Sequence, residues 1–188
     1  TTEPIEFLRS HCHKPIYFIP PVPPSVSGIR TQQRLQDRFM ALGGTFLLGD
    51  RVENALFDEE LISGLHSHNH GDILFHAKHY VLATGSFFSN GIIARPDTIY
   101  EPVLGADVAF DASRDAWFDK NIFQPQPYMC YGVKTDEALH PLRGGKPILN
   151  TYAAGSILSG YNPLEEGCGS GVAILTAFDI SDKILSSK

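Results

Sequence analysis

Two short apolar runs that stop at a glycine constrain this chain more than any other feature. Tyr80-Val81-Leu82-Ala83 runs into Thr84-Gly85-Ser86, and Thr151-Tyr152-Ala153-Ala154 runs into Gly155-Ser156. A strand without polar alternation is covered on both faces, which is how strands lie in a parallel sheet flanked by helices. In open α/β sheets ligands bind outside the carboxyl ends of the strands. Small residues there let backbone approach a ligand closely, because no Cβ stands in the way. Each ending taken alone is equally a buried strand that turns on a glycine.

A third segment narrows the choice. Glu166-Gly167-Cys168-Gly169-Ser170-Gly171 leads into an apolar helix expected over 170–185. Alternating glycines expose backbone N–H groups, and the helix start adds about half a positive charge. Such an end suits an anion: a phosphate, or the N1–C2=O edge of a flavin, which gains negative charge on reduction. The competing reading is a glycine hinge that lets the helix pack tightly.

Between these landmarks the chain alternates elements. A helix is expected from Thr2, with Ile5, Phe7 and Leu8 supplying apolar contacts, and a strand over 15–19. Pro20-Pro21-Val22-Pro23-Pro24 forms a stiff extended strap, since proline disfavours helix in the residue before it. A helix then begins near Ile29, with Leu35, Phe39 and Leu42 at helical spacing, and stops at Gly43-Gly44. Strands follow at 45–48, 51–57 and 73–75, and a loop over 66–71 precedes the last of them. The pattern is a small antiparallel meander between two strands of a parallel sheet. Residues 86–148 carry six prolines among frequent aromatic residues, a packed but irregular region with a hairpin arm over 132–136. The domain reading is a strand and strap over 1–28, parts of one α/β domain over 29–86 and 148–188, and a cap or substrate-side segment over 87–147.

Composition excludes several classes. Fifteen Lys and Arg against 21 Asp and Glu give a net charge of −6, which argues against a nucleic-acid surface. No apolar stretch approaches the roughly 18 residues needed to cross a bilayer. Cys12, Cys130 and Cys168 are widely spaced, fitting neither a disulfide framework nor a metal knuckle. Reduced thiols and the lack of a secretory n-region and h-region imply a cytoplasmic protein, and docking onto a membrane through a partner stays open. The absence of a starting Met suggests a piece of a longer chain.

Histidine clusters offer a metal reading and a plainer one. His66, His68 and His70 alternate, and on a strand would share one face as zinc or nickel donors. No fourth ligand is suggested, so a solvated loop is expected. His11-Cys12-His13 reads the same way, and no metal is assigned.

Several motifs carry a resemblance. Gly132-Val133-Lys134-Thr135-Asp136, Gly145-Lys146-Pro147-Ile148, the Tyr152-Ala153-Ala154-Gly155 strand end and the glycine-rich loop resemble the C-terminal part of flavoproteins related to fumarate reductase. Within them, four further stretches resemble the B-subunit family of the anaerobic glycerol-3-phosphate dehydrogenases. These are Pro23-Pro24-Ser25-Val26-Ser27-Gly28-Ile29-Arg30, Ala83-Thr84-Gly85-Ser86-Phe87-Phe88-Ser89, Glu101-Pro102-Val103-Leu104-Gly105 and 162–171. The fold class implied is α/β, the C-terminal part of a Rossmann-like flavin-binding domain with a β-meander and an inserted or cap segment. The superfamily's opening strand, Gly-x-Gly-x-x-Gly turn and helix are absent, so half of the flavin site is expected elsewhere. The superfamily also often places an acid after the glycine of the last strand; here Ser156 stands there.

The resemblance implies a flavin, FMN with FAD as the alternative, and oxidation of sn-glycerol 3-phosphate to dihydroxyacetone phosphate in anaerobic metabolism. It also implies a catalytic A subunit and an iron–sulfur C subunit as partners, with electrons passing to quinone. The cofactor residues expected are Thr84, Gly85, Ser86, Gly155, Ser156, Gly167, Cys168, Gly169, Ser170 and Gly171. Arg30, Arg95 and Lys134 are candidates for the substrate phosphate, each equally a surface ion-pair residue. No proton acceptor is assigned; His79 and His140 are candidates that serve equally as structural residues. Two other functions fit the residues: a non-catalytic assembly or electron-relay module of that complex, and a phosphometabolite-binding domain.

Overall fold

The computed structural model describes residues 3–17 and 25–186, a mixed α/β arrangement of helices and small sheets. It divides into two units, residues 1–49 and 50–188. In the first, α1 (Glu3–His11) and α2 (Val26–Ala41) are the helices. The expected cap at Thr2 lies outside the described residues. Ile5, Phe7 and Leu8 are exposed rather than buried, and Phe7 stacks on His11 at 4.1 Å.

Helix α2 begins three residues before the expected start because Ser25 caps it, its Oγ accepting the Gly28 N–H at 3.1 Å. It ends as expected. Gly43 takes φ 90°, the Gly44 N–H reaches Phe39 O at 3.0 Å, and a side chain at Gly44 would overlap the Phe39 ring. Ile29, Leu35 and Phe39 leave an apolar stripe exposed along it. Two expected strands are corrected. Residues 15–17 are irregular, while 18–19 and the proline strap over 20–24 lie outside the described residues. Residues 45–48 form no strand and are exposed. Among the described residues of this unit no neighbouring strand offers a ladder for their N–H and C=O groups.

The second unit opens with the meander. Strand β1 (Val52–Asp58) pairs antiparallel with β2 (Leu61–Ser67), and β2 with β3 (Leu74–Phe75). Strand β4 (Tyr80–Leu82) follows. Short antiparallel pairs then fill the irregular region: β5 (Ile93–Ala94) with β6 (Ile99–Tyr100), and β7 (Val108–Ala109) with β8 (Gly132–Val133). Strand β9 (Leu142–Arg143) pairs in the same way with β10 (Lys146–Pro147). Strand β11 (Thr151–Ala153) returns parallel to β4, with Thr151 opposite Tyr80 and Ala153 opposite Leu82. Helix α3 (Gly169–Ser186) comes last.

The region read as packed but irregular is so. Ile92, Ile99, Leu104, Trp117, Val133 and Ile148 are buried with Ile62, Leu82, Ala153 and Ile157 in one core. Asn150 ties the meander to the parallel pair: its amide oxygen accepts the Ile62 N–H at 2.9 Å and its NH2 donates to Ile62 O at 2.8 Å. Strand β11 is buried on both faces, but β4 is not, because Val81 is 50% exposed. The hairpin arm extends further than expected: Leu142 N–H returns to Lys134 O at 2.9 Å, and Thr135 bridges Pro141.

One carboxylate is fully interior. Glu101, 1% exposed, accepts backbone N–H groups of Val103, Leu104 and Ala106 at 2.9, 2.7 and 3.3 Å. It thereby folds the 102–106 loop back beneath β6, with Gly105 at φ 67°.

Candidate active site: two strand ends and a helix start

Parallel pairing carries β4 and β11 to the same end of their sheet, so their terminal residues lie side by side. The Ala154 N–H donates to Leu82 O at 3.0 Å, the last rung. Both chains then turn through left-handed glycines, Gly85 at φ 80° and Gly155 at φ 71°, a conformation that side chains disfavour. A Cβ at Gly85 would overlap Ser89 Oγ and lie 3.4 Å from Ser156 Oγ. Thus Gly85 and Ser156, predicted from separate stretches, are neighbours.

Gly91 tightens the first ending. Its N–H bonds Ser86 O at 3.0 Å, and a Cβ there would overlap Gly85 O and lie 2.9 Å from the Thr84 carbonyl carbon. Nothing in the sequence singled Gly91 out; its spacing six residues after Gly85 is the available signal.

The helix start meets the second ending. The Gly155 N–H donates to Thr176 Oγ1 at 3.0 Å, and that hydroxyl donates to Val172 O at 2.7 Å. A Cβ at Gly155 would lie 3.6 Å from Ala173. The first two turns of α3, beginning at Gly169, therefore rest on the β11 end. The β4 end thus lies beside the β11 end, which packs on Ala173 and Thr176 of α3; the glycine-rich stretch 167–171 itself makes no such contact.

The loop before α3 is held by its own polar groups. Buried Asn162 accepts the Leu164 and Glu165 N–H groups at 3.2 and 3.3 Å, and its own N–H donates to Glu166 Oε1 at 2.9 Å. The other Glu166 oxygen faces Cys168 Sγ at 3.8 Å. Burial and the Glu166 carboxylate push the Cys168 thiol upward, so it stays protonated. A carboxylate thus already stands beside the amide-rich start where an anion was expected. Gly167, Gly169 and Gly171 leave open space. Among the described residues, a Cβ at Gly169 would meet only Pro163, at 3.4 Å, and the other two would meet nothing within 4 Å.

Two recesses flank the β4 end. Thr84 and Ser89 face a cleft shared with Asp50, Arg51, Glu53 and Val103. Ser86 and Ser156 share a slot with Phe87, Tyr128, Tyr131 and Tyr161, where Phe87 and Tyr128 meet edge to face at 6.2 Å. The aromatic slot was not foreseen, because its members come from four separated stretches.

Neither Arg95 nor Lys134 lines the slot. Arg95 bonds the Tyr100 hydroxyl at 3.4 Å and lies over its ring. Lys134 is exposed on the arm after β8. Arg30 lies on α2, in the other unit. His140 is held by Asp136, Nδ1 to Oδ2 at 3.0 Å, and packs on Tyr152 at 4.8 Å. Asp136 also accepts the Ala138 and His140 N–H groups. Its carboxyl loses some basicity by hydrogen bonding even though burial opposes this. His79 keeps a buried Nδ1 without a hydrogen-bond partner among the described residues.

The histidine cluster is dispersed, which corrects the shared-face picture. Strand β2 ends at Ser67, and 68–70 form a 3-10 turn. His68 pairs with Glu53 at 2.7 Å. His70 pairs with Asp50 at 2.7 Å and Ser67 at 2.9 Å. Burial would raise the Asp50 carboxyl. Hydrogen bonds from Ser67, His70 and the Asn69 and Arg51 N–H groups outweigh it and hold the group well below the usual range. Among the described residues, no group of His, Cys, Asp or Glu is arranged to hold a metal ion.

The open glycine loop before α3 leaves backbone N–H groups accessible and so fits a flavin's carbonyl edge, whereas the space beside Gly85 and Gly155 is filled by Ser89, Ser156 and Ala173. The B subunit of the anaerobic glycerol-3-phosphate dehydrogenase of Yersinia pestis bv. Antiqua (strain Antiqua) is 46% identical over 183 residues, covering 97% of this chain and 43% of that protein. Its counterpart in Pectobacterium carotovorum subsp. carotovorum (strain PC1) is 47% identical over 172 residues, 92% of this chain and 41% of that protein. That of Aliivibrio fischeri (strain ATCC 700601 / ES114) is 41% identical over 179 residues, 89% and 39% respectively. The chain spans less than half the length of these relatives. No solved structure matches it. The FAD binding domain family matches residues 8–172, nearly the whole chain, and the protein belongs to that family.

Proposed function

We propose that this protein is a subunit of a flavin-dependent, quinone-linked dehydrogenase that oxidises sn-glycerol 3-phosphate to dihydroxyacetone phosphate in anaerobic metabolism. The observation that carries the proposal is the pairing of the β4 and β11 ends, with the first two turns of α3 packed on the latter through Ala173 and Thr176. Likeness to proteins named as the B subunit of that dehydrogenase supports the substrate. When bound, the flavin supplies the acceptor for the hydride that leaves the secondary carbinol carbon, while the hydroxyl proton goes to a base.

The chain's own residues hold and orient. Thr84, Gly85, Ser86, Gly155 and Ser156 would form one wall of the flavin site, and the N–H groups of the Gly167–Gly171 loop would hold the flavin as donors. Residues 29–86 and 148–188 belong to a Rossmann-like flavin-binding domain, and 87–147 form a substrate-side cap. A catalytic A subunit and an iron–sulfur C subunit complete the path to quinone. The protein is cytoplasmic and reaches the inner membrane through that complex; among the described residues no helix is long and apolar enough to cross a membrane.

A second reading has its own support. The slot residues are uncharged, so a phosphate dianion would find no cation there, which favours an electron-relay or assembly role with substrate held on the A subunit. One experiment separates the readings. The intact protein is purified, its cofactor released and identified by mass, and its reduction by glycerol 3-phosphate followed with and without the A subunit. FMN or FAD with direct reduction supports the first reading, and a flavin reduced only with the A subunit supports the relay. Colourless protein that joins the complex leaves assembly alone.

A further inference from the structure

One polar group at the strand ends finds nothing in the fold to bond. Tyr161 lines the slot beside them with Ser86, Phe87, Tyr128, Tyr131 and Ser156. Its hydroxyl is buried and has no hydrogen-bond partner among the described residues. Buried hydroxyls are almost always paired, to protein or to ordered water, because losing solvent without a replacement bond is costly. Burial, with Cys168 and Glu166 adding, pushes the phenol upward, so it keeps a proton to donate.

Size decides what the partner is. The slot encloses about 20 Å³ of free space. One water needs roughly 10–15 Å³ of such space, so the slot admits one and leaves no room for a ring. A trapped water also needs about two to four polar partners. Besides the Tyr161 phenol, the slot carries the Ser86 and Ser156 hydroxyls, and a hydroxyl can both donate and accept. These serines directly follow Gly85 and Gly155, the left-handed residues that end β4 and β11. The Tyr131 hydroxyl is turned to Ala116 O at 3.5 Å, while Phe87, Leu158 and Pro163 supply apolar wall.

We infer that one ordered water is a fixed part of this slot, accepting a hydrogen bond from Tyr161 and bonding the Ser86 and Ser156 hydroxyls. It completes a bridge that no protein group among the described residues supplies to the phenol. Tyr161 immediately precedes Asn162, whose side chain holds the Leu164 and Glu165 N–H groups at the entry of the glycine-rich loop. The water therefore ties that entry to the endings of both strands. Its role is positioning, separate from the N–H donors proposed for the flavin, and the inference stands whether or not the flavin reading does.

The test uses the intact protein, as wild type and as Tyr161→Phe. Crystals of the wild type, refined at a resolution that shows ordered water, should carry a density peak about 2.5–3.2 Å from Tyr161 Oη and from at least one serine Oγ. Tyr161→Phe keeps the shape of the side chain and should lose that peak. In solution, magnetic relaxation dispersion of water oxygen should count one long-lived water fewer in the variant. Amide exchange at Leu164 and Glu165 should quicken by about two- to ten-fold, the effect of removing one neutral hydrogen bond. A wild-type slot without the peak, a direct bond from Tyr161 to a protein group, or a cofactor atom in the water's place each overturns the inference. Unchanged exchange in Tyr161→Phe overturns the tie to the loop even where the peak is present.

Discussion

The buried Glu101 carboxylate offers the sharpest quantitative test of how the loop beside the site is held. Three backbone N–H groups converge on its two oxygens, two of them on Oε2. Glu101→Gln preserves shape but supplies one acceptor oxygen and an NH2 group. If the amide oxygen keeps Leu104 and Ala106, the new NH2 points at the Val103 N–H, leaving two buried donors facing each other. Each unsatisfied donor costs about 1–3 kcal/mol. The charged bonds that remain are also exchanged for weaker neutral ones. The expected destabilisation is therefore about 2–5 kcal/mol, or roughly 5–15 °C in melting temperature for a chain of this size.

The control is Glu60→Gln. Glu60 meets Lys146 at 3.0 Å, but both side chains are largely exposed, and such pairs contribute about 0–1 kcal/mol. The assay is urea and thermal unfolding followed by circular dichroism, with the denaturant slope checked for constancy. A Glu101→Gln effect no larger than that of Glu60→Gln would refute the reasoning. Pro102 and Val103 line the cleft beside Thr84 and Ser89, so the same variant should also weaken flavin retention in the intact protein.

Three further outcomes are expected. Asp50 has a folded carboxyl held below its ordinary value near 3.8, so its contribution is present above that value and lost as pH falls towards the folded one. Stability measured by urea unfolding should therefore decline as pH falls from about 5, and Asp50→Asn should flatten that slope. Gly91→Ala places a methyl against Gly85 O, and the strand-end turn must shift; lost flavin in the intact protein, with far-UV circular dichroism retained, is the expected reading. Gly169→Val puts a branched side chain at the α3 start, and it should cut flavin content with little change in expression.

The glycine endings of the candidate site were legible in the sequence, for a physical reason. Apolar runs ending in glycine report a backbone demand, and both Gly85 and Gly155 do take left-handed φ. The helix after Gly169 was equally readable from its apolar length. What escaped was set by distant partners. Residues 45–48 have strand-like side chains but no ladder, and β4 carries an exposed Val81 despite its apolar pattern. The alternating histidines suggested one face, yet the chain turns after Ser67 and sends His68 and His70 to different carboxylates. Tyr161 and Gly91 were invisible because their meaning lies in what touches them, not in their neighbours along the chain.

The electrostatics of the α3 start bear on which ligand class the site takes. Exposed N–H groups and a helix dipole attract negative charge in general, and on that ground a phosphate ester was as reasonable as a flavin edge. The fold places Glu166 within the same loop, bonded to the Asn162 N–H and facing Cys168. A carboxylate so near the donors satisfies part of their attraction and repels a dianion, whereas a carbonyl edge carrying partial charge still gains from the remaining N–H groups. Glu166→Gln discriminates between these cases. It removes the repulsion, so phosphate-ester binding by the intact protein should strengthen while flavin affinity changes little. A large loss of flavin affinity with no gain for phosphate would show that Glu166 shapes the loop and that its charge is secondary.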